Sequence, residues 1–189
     1  MRQRTAFVLV TAATCLGVAR DAPASVSVAL SLDDLARDAT VIAKVTPVAR
    51  ASAWQGSRIV TTTRLRIDGA VAGSPPAREV EVRTLGGIVG GIGQIAEGEP
   101  SFLVGEPSLV FLASRGSWMT VVGRAQGQLL LTKKGGVDVV RVRNVGALVR
   151  RRAAGPLLPP GKPVTELDGA PADAVARDAA RAWEATHAR

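Results

Sequence analysis

Between residues 59 and 67 the chain alternates: Ile59, Thr61, Thr63, Leu65 and Ile67 hold every second position, while Arg64, Arg66 and Asp68 point the other way. Successive side chains of an extended chain emerge on opposite faces, so this order makes one largely apolar face and one solvated face. The segment is a strand, rich in the β-branched residues and threonines that fit a pleated surface. A strand of that kind has to be paired along its edge and covered on its apolar side. The chain is therefore constrained to build a sheet.

The same period recurs downstream. Glu79, Glu81 and Arg83 alternate with Val80, Val82 and Thr84. Two neighbouring strands can then match Arg64 and Arg66 to Glu79 and Glu81 across a solvated face, at about 0.2–1 kcal/mol per pair. Further strands are expected at 41–48, 109–112, 118–122, 128–132 and 137–142, with Lys133-Lys134-Gly135-Gly136 as a hairpin signal between the last two. Phe111 and Trp118 fall in these strands and are expected in the core. Before the first strand, Ser31 is a good N-cap; Leu32, Leu35, Ala36 and Ala39 share one helical face, with Asp33 and Asp34 in the first turn. Six or seven short strands without a long central helix imply an all-β barrel with small α content. Closing the sheet removes the edges that invite aggregation.

Composition narrows the function. The 189 residues are 47% hydrophobic and 21% charged, with a net charge of +8, one Cys, one His and no Tyr. This is ordinary globular material, enough for one domain with a real core. A single Cys excludes a disulfide scaffold and a Cys-cluster zinc site, and a single His leaves His-based catalysis almost nothing to work with. Arg2 and Arg4 precede a short apolar run at 5–19, followed by Ala22-Pro23-Ala24. That order is the pattern of a secretory signal peptide over 1–24, so the protein is expected to be secreted or periplasmic. Lipid anchoring through Cys15 is the weaker alternative, because Thr14 precedes it and Leu16-Gly17-Val18-Ala19 continues the apolar run. The remaining organisation is a barrel over 25–149, an Arg/Pro-rich linker over 150–169 and a C-terminal helix over 170–189. Val175, Ala179, Ala182 and Trp183 give that helix a narrow apolar side, and His187 is a surface residue near its end.

The most unusual composition lies at 86–107, where seven glycines interrupt the chain. Gly91-Ile92-Gly93-Gln94-Ile95-Ala96 has the spacing of a dinucleotide fingerprint, but that site needs a helix to start there, and Gly98 and Pro100 forbid one. Gly155 and Gly161-Lys162 fail as a phosphate loop, with Pro163 where Ser or Thr belongs. Glycines permit positive φ, and Ile88, Ile92 and Ile95 are expected to fold back onto the barrel. A segment this long within a compact domain has a job or forms an ordered flap. Both a connector and a partner-binding loop are compatible with it. Glu97, Glu99 and Glu106 lack a ligand spacing and read as turn residues.

Asp38-Ala39-Thr40-Val41-Ile42-Ala43-Lys44-Val45, the long strand running into 73, and Phe102-Leu103-Val104-Gly105-Glu106 with Leu109-Val110-Phe111-Leu112 follow in an order that resembles a known module. It is similar to the netrin-like module of the tissue inhibitors of metalloproteinases, over about residues 31–145. It also resembles uncharacterised secreted bacterial proteins with a Gly-Gly loop and a Gly-Glu…Phe-Leu strand. The resemblance implies a closed or partly open OB-like antiparallel barrel with a short N-terminal helix and a C-terminal helix. The animal inhibitors chelate a protease's zinc with an N-terminal cysteine, and here no cysteine follows Cys15. No functional residue of that family transfers.

Nucleic-acid binding needs aromatic platforms beside a basic groove, and aromatics are scarce. Cys–His and Ser–His constellations and strand–turn–helix nucleophile sites are missing from the sequence. No catalytic residue, metal ligand or cofactor is expected. What fits is an exported, non-enzymatic protein-interaction module binding an exported protein through the flap 86–107. Its expected contacts are Gly87, Ile88, Gly91, Ile92, Glu97 and Glu99, with Arg150, Arg151 and Arg152 as a second, cationic surface. Two alternatives stand beside it: an inhibitor of an exported protease, and an envelope-associated binder of nucleic acid or another polyanion.

Overall fold

The computed structural model describes residues 26–143, 147–149 and 161–188. The expected signal peptide and Arg150, Arg151 and Arg152 lie outside the described residues. The elements are β1 (Val26–Val28), α1 (Leu32–Asp38), β2 (Val41–Gln55), β3 (Arg58–Ala72), β4 (Glu79–Leu85), β5 (Gly87–Val89), β6 (Ile92–Gln94), β7 (Ser108–Arg115), β8 (Trp118–Val121), β9 (Gln128–Lys134), β10 (Val137–Val142), β11 (Ala147–Val149) and α2 (Ala172–His187). Short 3-10 turns occupy Arg124–Gly127 and Val164–Leu167.

The protein is mostly β. Its main sheet has seven strands in the order β10-β9-β7-β2-β3-β4-β8, and β8 also pairs with β7. Five strands thereby follow one another in a partly ring-like arrangement, with the β9–β10 hairpin extending from β7. The junction between β4 and β8 is the weak point: it is parallel and paired only at Val82 and Met119.

Alternation explains how two cores fit on one sheet. Val41, Ala43 and Val45 of β2 point inward with Leu65, Val80, Val82, Val110, Leu112, Met119 and Val121, and Phe102 joins this cluster from the loop before β7. Ile42, Leu109 and Phe111 point outward, onto Leu35, Ala36 and Ala39 of α1 and Val175, Ala176 and Ala179 of α2. The middle of β7 is consequently buried on both faces, and its sequence is continuously apolar.

The helices are fixed by local chemistry. Ser31 and Asp34 form a capping box: the Ser31 hydroxyl accepts the Asp34 N–H at 3.2 Å, and the Asp34 carboxylate accepts the Ser31 N–H at 3.1 Å. At the other end of α1 the Trp183 indole N–H donates to the Ala39 carbonyl at 3.0 Å, joining α2 to α1. Small alanines at 172, 176 and 179 let α2 approach closely. Residues 161–169 are pinned as well. Val164 is wholly buried, and its N–H donates to the Leu30 carbonyl at 2.9 Å. The outer edge of β10 is covered, Val140 donating to the Ala170 carbonyl and accepting from the Gly169 N–H. Among the described residues no helix is long and apolar enough to cross a membrane.

Two sequence expectations change. Arg64 and Arg66 do lie opposite Glu81 and Glu79, but the ion pair is diagonal, Arg64 to Glu79 at 3.1 Å, while Arg66 turns to Asp68 at 2.8 Å. Long side chains reach the diagonal neighbour as readily as the facing one. Trp118 is half-buried rather than core, because β8 borders the weak junction and its ring lies under the Arg83 guanidinium, 5.1 Å from centroid to Cζ.

Candidate functional site

β2 pairs with β7 only from Val41 to Val45. Beyond that, register shifts as far as Pro47 and Ala49 bend it, and with β3 it continues as a two-stranded ribbon to a two-residue turn at Gly56-Ser57. The Gly-rich segment lies on this ribbon. It is a hairpin, β5 against β6, turning at Gly90-Gly91, both with positive φ (57° and 81°) as a tight two-residue turn requires.

Polar contacts fasten the base of the hairpin. The Gly86 N–H donates to the Ile59 carbonyl at 2.8 Å, and the Ile59 N–H donates to the Gln94 side-chain carbonyl at 2.5 Å. The Thr61 hydroxyl donates to the Gly86 carbonyl at 2.6 Å and lies 2.8 Å from the Ser52 hydroxyl. Gly87 sits directly over these hydroxyls at φ 141°; a Cβ there would come within 2.4 Å of both oxygens. Only glycine lets the backbone lie this flat on the ribbon.

The segment after the hairpin is braced separately. Glu99 accepts the Arg124 Nε–H at 2.9 Å and the Leu85 N–H at 3.1 Å, and Arg124 also donates to the Glu97 carbonyl. Arg124 holds φ 57°, the one non-glycine residue in the left-handed region among the described residues. That conformation costs roughly 1–2 kcal/mol, and the ion pair and hydrogen bond compensate it. Buried Gln128 holds the Ser101 backbone with both ends of its amide, at 2.9 and 3.0 Å.

Between ribbon and flap is a groove of about 710 Å³. Buried Thr61, Thr63 and Thr84 and exposed Arg50 face it from the sheet, and Gly86, Gln94 and residues 95–102 close the other side. The Arg50 guanidinium donates to the Phe102 carbonyl at 3.2 Å. Above the groove the flap exposes aliphatic side chains: Ile88 is 73% exposed, Ile92 57% and Ile95 92%. This corrects the expectation that they fold back. The ribbon offers Ser52 and Thr61 to the glycine backbone of the flap, leaving the isoleucines nothing apolar to meet.

The expected contact residues thus separate. Gly87 and Gly91 shape the flap; Ile88, Ile92 and Glu97 are presented on it; Glu99 is a brace bound to Arg124. Glu106 pairs with Arg143 at 2.5 Å, so the three glutamates do not converge. Sequence reasoning missed Arg50, Thr63, Gln94, Leu103, Val104 and Arg124. One signal was available: Thr61 and Thr63 interrupt an inward face otherwise held by Ile59, Leu65 and Ile67. No protein-family model matches the chain, and neither a curated protein nor a solved structure does.

Proposed function

We propose that the protein is an exported, non-enzymatic interaction module that binds a protein partner through the flap and the groove beneath it. One observation carries the reading. Of nine exposed large hydrophobic side chains among the described residues, five (Ile88, Ile92, Ile95, Leu103 and Val104) lie within the flap 86–107, and a sixth, Leu85, ends β4 beside it. Clustered exposed aliphatics mark interaction sites, whereas scattered ones need no explanation. Full burial of a wholly exposed isoleucine is worth roughly 1.5–3 kcal/mol, so Ile95 has the most to gain from a partner and the partly covered Ile92 the least. The braces described above fix the backbone on either side of these residues beforehand, which lowers the ordering cost of association. Export rests on the N-terminal pattern at 1–24. An OB-like barrel is supported by five ring strands with one weakly paired junction, in keeping with a five-stranded, partly open barrel. The groove does not favour nucleic acid: its one aromatic, Phe102, is 4% exposed and offers no stacking face.

The test compares the wild-type chain with the triple variant Ile88→Ser, Ile92→Ser, Ile95→Ser. Both are immobilised and exposed to an envelope and culture-medium fraction, and to a panel of purified metallo- and serine proteases. A species retained by the wild type and lost with the variant, at unchanged melting temperature, is expected. Equal retention by both would remove the flap from the binding surface.

A further inference from the structure

We propose that the cleft between β4 and β8 is a binding site for a carboxylate carried on an apolar body. This site adjoins the flap groove, sharing Thr84, Leu85, Glu99 and Pro100 with its wall, but it does not depend on the flap reading. The two strands pair only at Val82 and Met119 and then part, leaving a cleft of about 330 Å³. That volume is at the lower end of the range for small-molecule sites. Val60, Leu85, Pro100 and Trp118 supply apolar wall, and Arg83 and Arg124 supply charge.

Arg83 is the anomaly. Its Nε is buried and has no hydrogen-bond acceptor, alone in this respect among the described residues. The guanidinium lies over the Trp118 ring, an attraction that satisfies none of its N–H donors. Such orphaned donors are rare in native structures and point to a missing partner. The nearby carboxylates do not serve. Glu99 is taken by Arg124 at 2.9 Å, and Glu81, two residues along β4, makes no ion pair with Arg83. The site therefore carries one uncompensated positive charge, which matches a monoanion. The planar fork of a guanidinium suits a carboxylate, and stacking on Trp118 fixes the plane of that fork. The walls select an apolar remainder. The carboxylate can belong to a free aromatic or aliphatic acid or to the C-terminus of a peptide ending in an apolar residue.

The experiment titrates the full chain, nitrogen-15 labelled, with phenylacetate and follows the Arg83 Nε–H and Trp118 indole N–H resonances. Benzyl alcohol is the uncharged control. Saturable shifts with phenylacetate and none with benzyl alcohol are expected, as is a midpoint raised roughly tenfold or more in Arg83→Gln. Arg83→Lys keeps the charge without the fork and is expected to fall between. An Ala-Ala-Phe peptide binding more tightly than phenylacetate, with its amide form silent, assigns the ligand to a chain terminus; the reverse order assigns it to a free acid. No saturable shift at tens of millimolar, or equal shifts from benzyl alcohol, overturns the proposal on wild-type protein alone, whether or not Arg83→Gln folds. An unchanged midpoint in folded Arg83→Gln also overturns it. The flap reading is untouched by any of these results.

Discussion

The middle of β7 and the β5–β6 flap are built from the same kind of residue and end in opposite environments. Leu109, Val110, Phe111 and Leu112 are wholly buried, two facing the ring interior and two facing the helices. Ile88, Ile92 and Ile95, equally apolar, remain in solvent. The difference lies in what each backbone is laid against. β7 has a paired strand on both edges and apolar side chains on both faces. The flap rests its glycines on the hydroxyls of Ser52 and Thr61 and is tied down by backbone and amide groups. Polar contacts fix where the flap is, while apolar burial fixes whether the ring exists at all.

The strongest way to break this comparison is Phe111→Ala. Phe111 is wholly buried between sheet and helices, and truncating such a side chain costs about 3–5 kcal/mol. Against a total stability of about 5–15 kcal/mol, that is a large part of the margin. Urea denaturation should show a sharply lower midpoint at unchanged slope. A small loss would mean that the helices do not depend on the ring for their place.

A smaller and more local effect is expected from Gly87→Ala. The added Cβ meets the Ser52 and Thr61 oxygens at 2.4 Å and has to be held at φ 141°. Strained backbone of this kind costs of order 1–3 kcal/mol, but the flap can escape it by lifting off the ribbon. Amide exchange should accelerate across β5 and β6 while the ring amides and the global melting temperature change little. Were the global transition to fall as far as for Phe111→Ala, flap and ring would form one cooperative unit.

The ring was legible in the sequence because period-two burial leaves its mark residue by residue. Val80, Val82 and Thr84 were placed inward by alternation alone, and all three are buried. The extension of β2 to Gln55 was not legible, since Ala49, Ala51 and Ala53 carry no apolar signal and the pairing there is carried by the β3 backbone. The flap was visible as composition but not as geometry. Glycine spacing shows that the chain turns tightly, whereas the direction in which Ile88 points is set by Ser52, 36 positions earlier. The Arg83 cleft left no trace, because an arginine alternating with valines reads as an ordinary solvated strand face. Its unpaired donor becomes apparent only when Glu81 and Glu99 are seen to leave it alone.

The smallest expected effect sharpens the comparison from the helical side. Lys44 on β2 donates to Asp173 in the first turn of α2 at 2.7 Å. That hydrogen bond, with the Lys44 charge and the charge of Arg177 behind it, lowers the Asp173 pKa below its ordinary 3.8. A carboxylate whose folded pKa is depressed adds stability above the unfolded value, and that stability is lost as pH falls through the folded value. The contribution is therefore present at neutral pH and disappears only below about 3.8. Because the Asp173 side chain is 75% exposed, solvent screens the pair and the effect is small. Asp173→Asn should lower the neutral-pH midpoint slightly, and the two proteins should converge as pH drops below that value. Equal midpoints at every pH would show that the apolar contacts of Val175, Ala179 and Trp183, not the ion pair, seat α2 on the sheet.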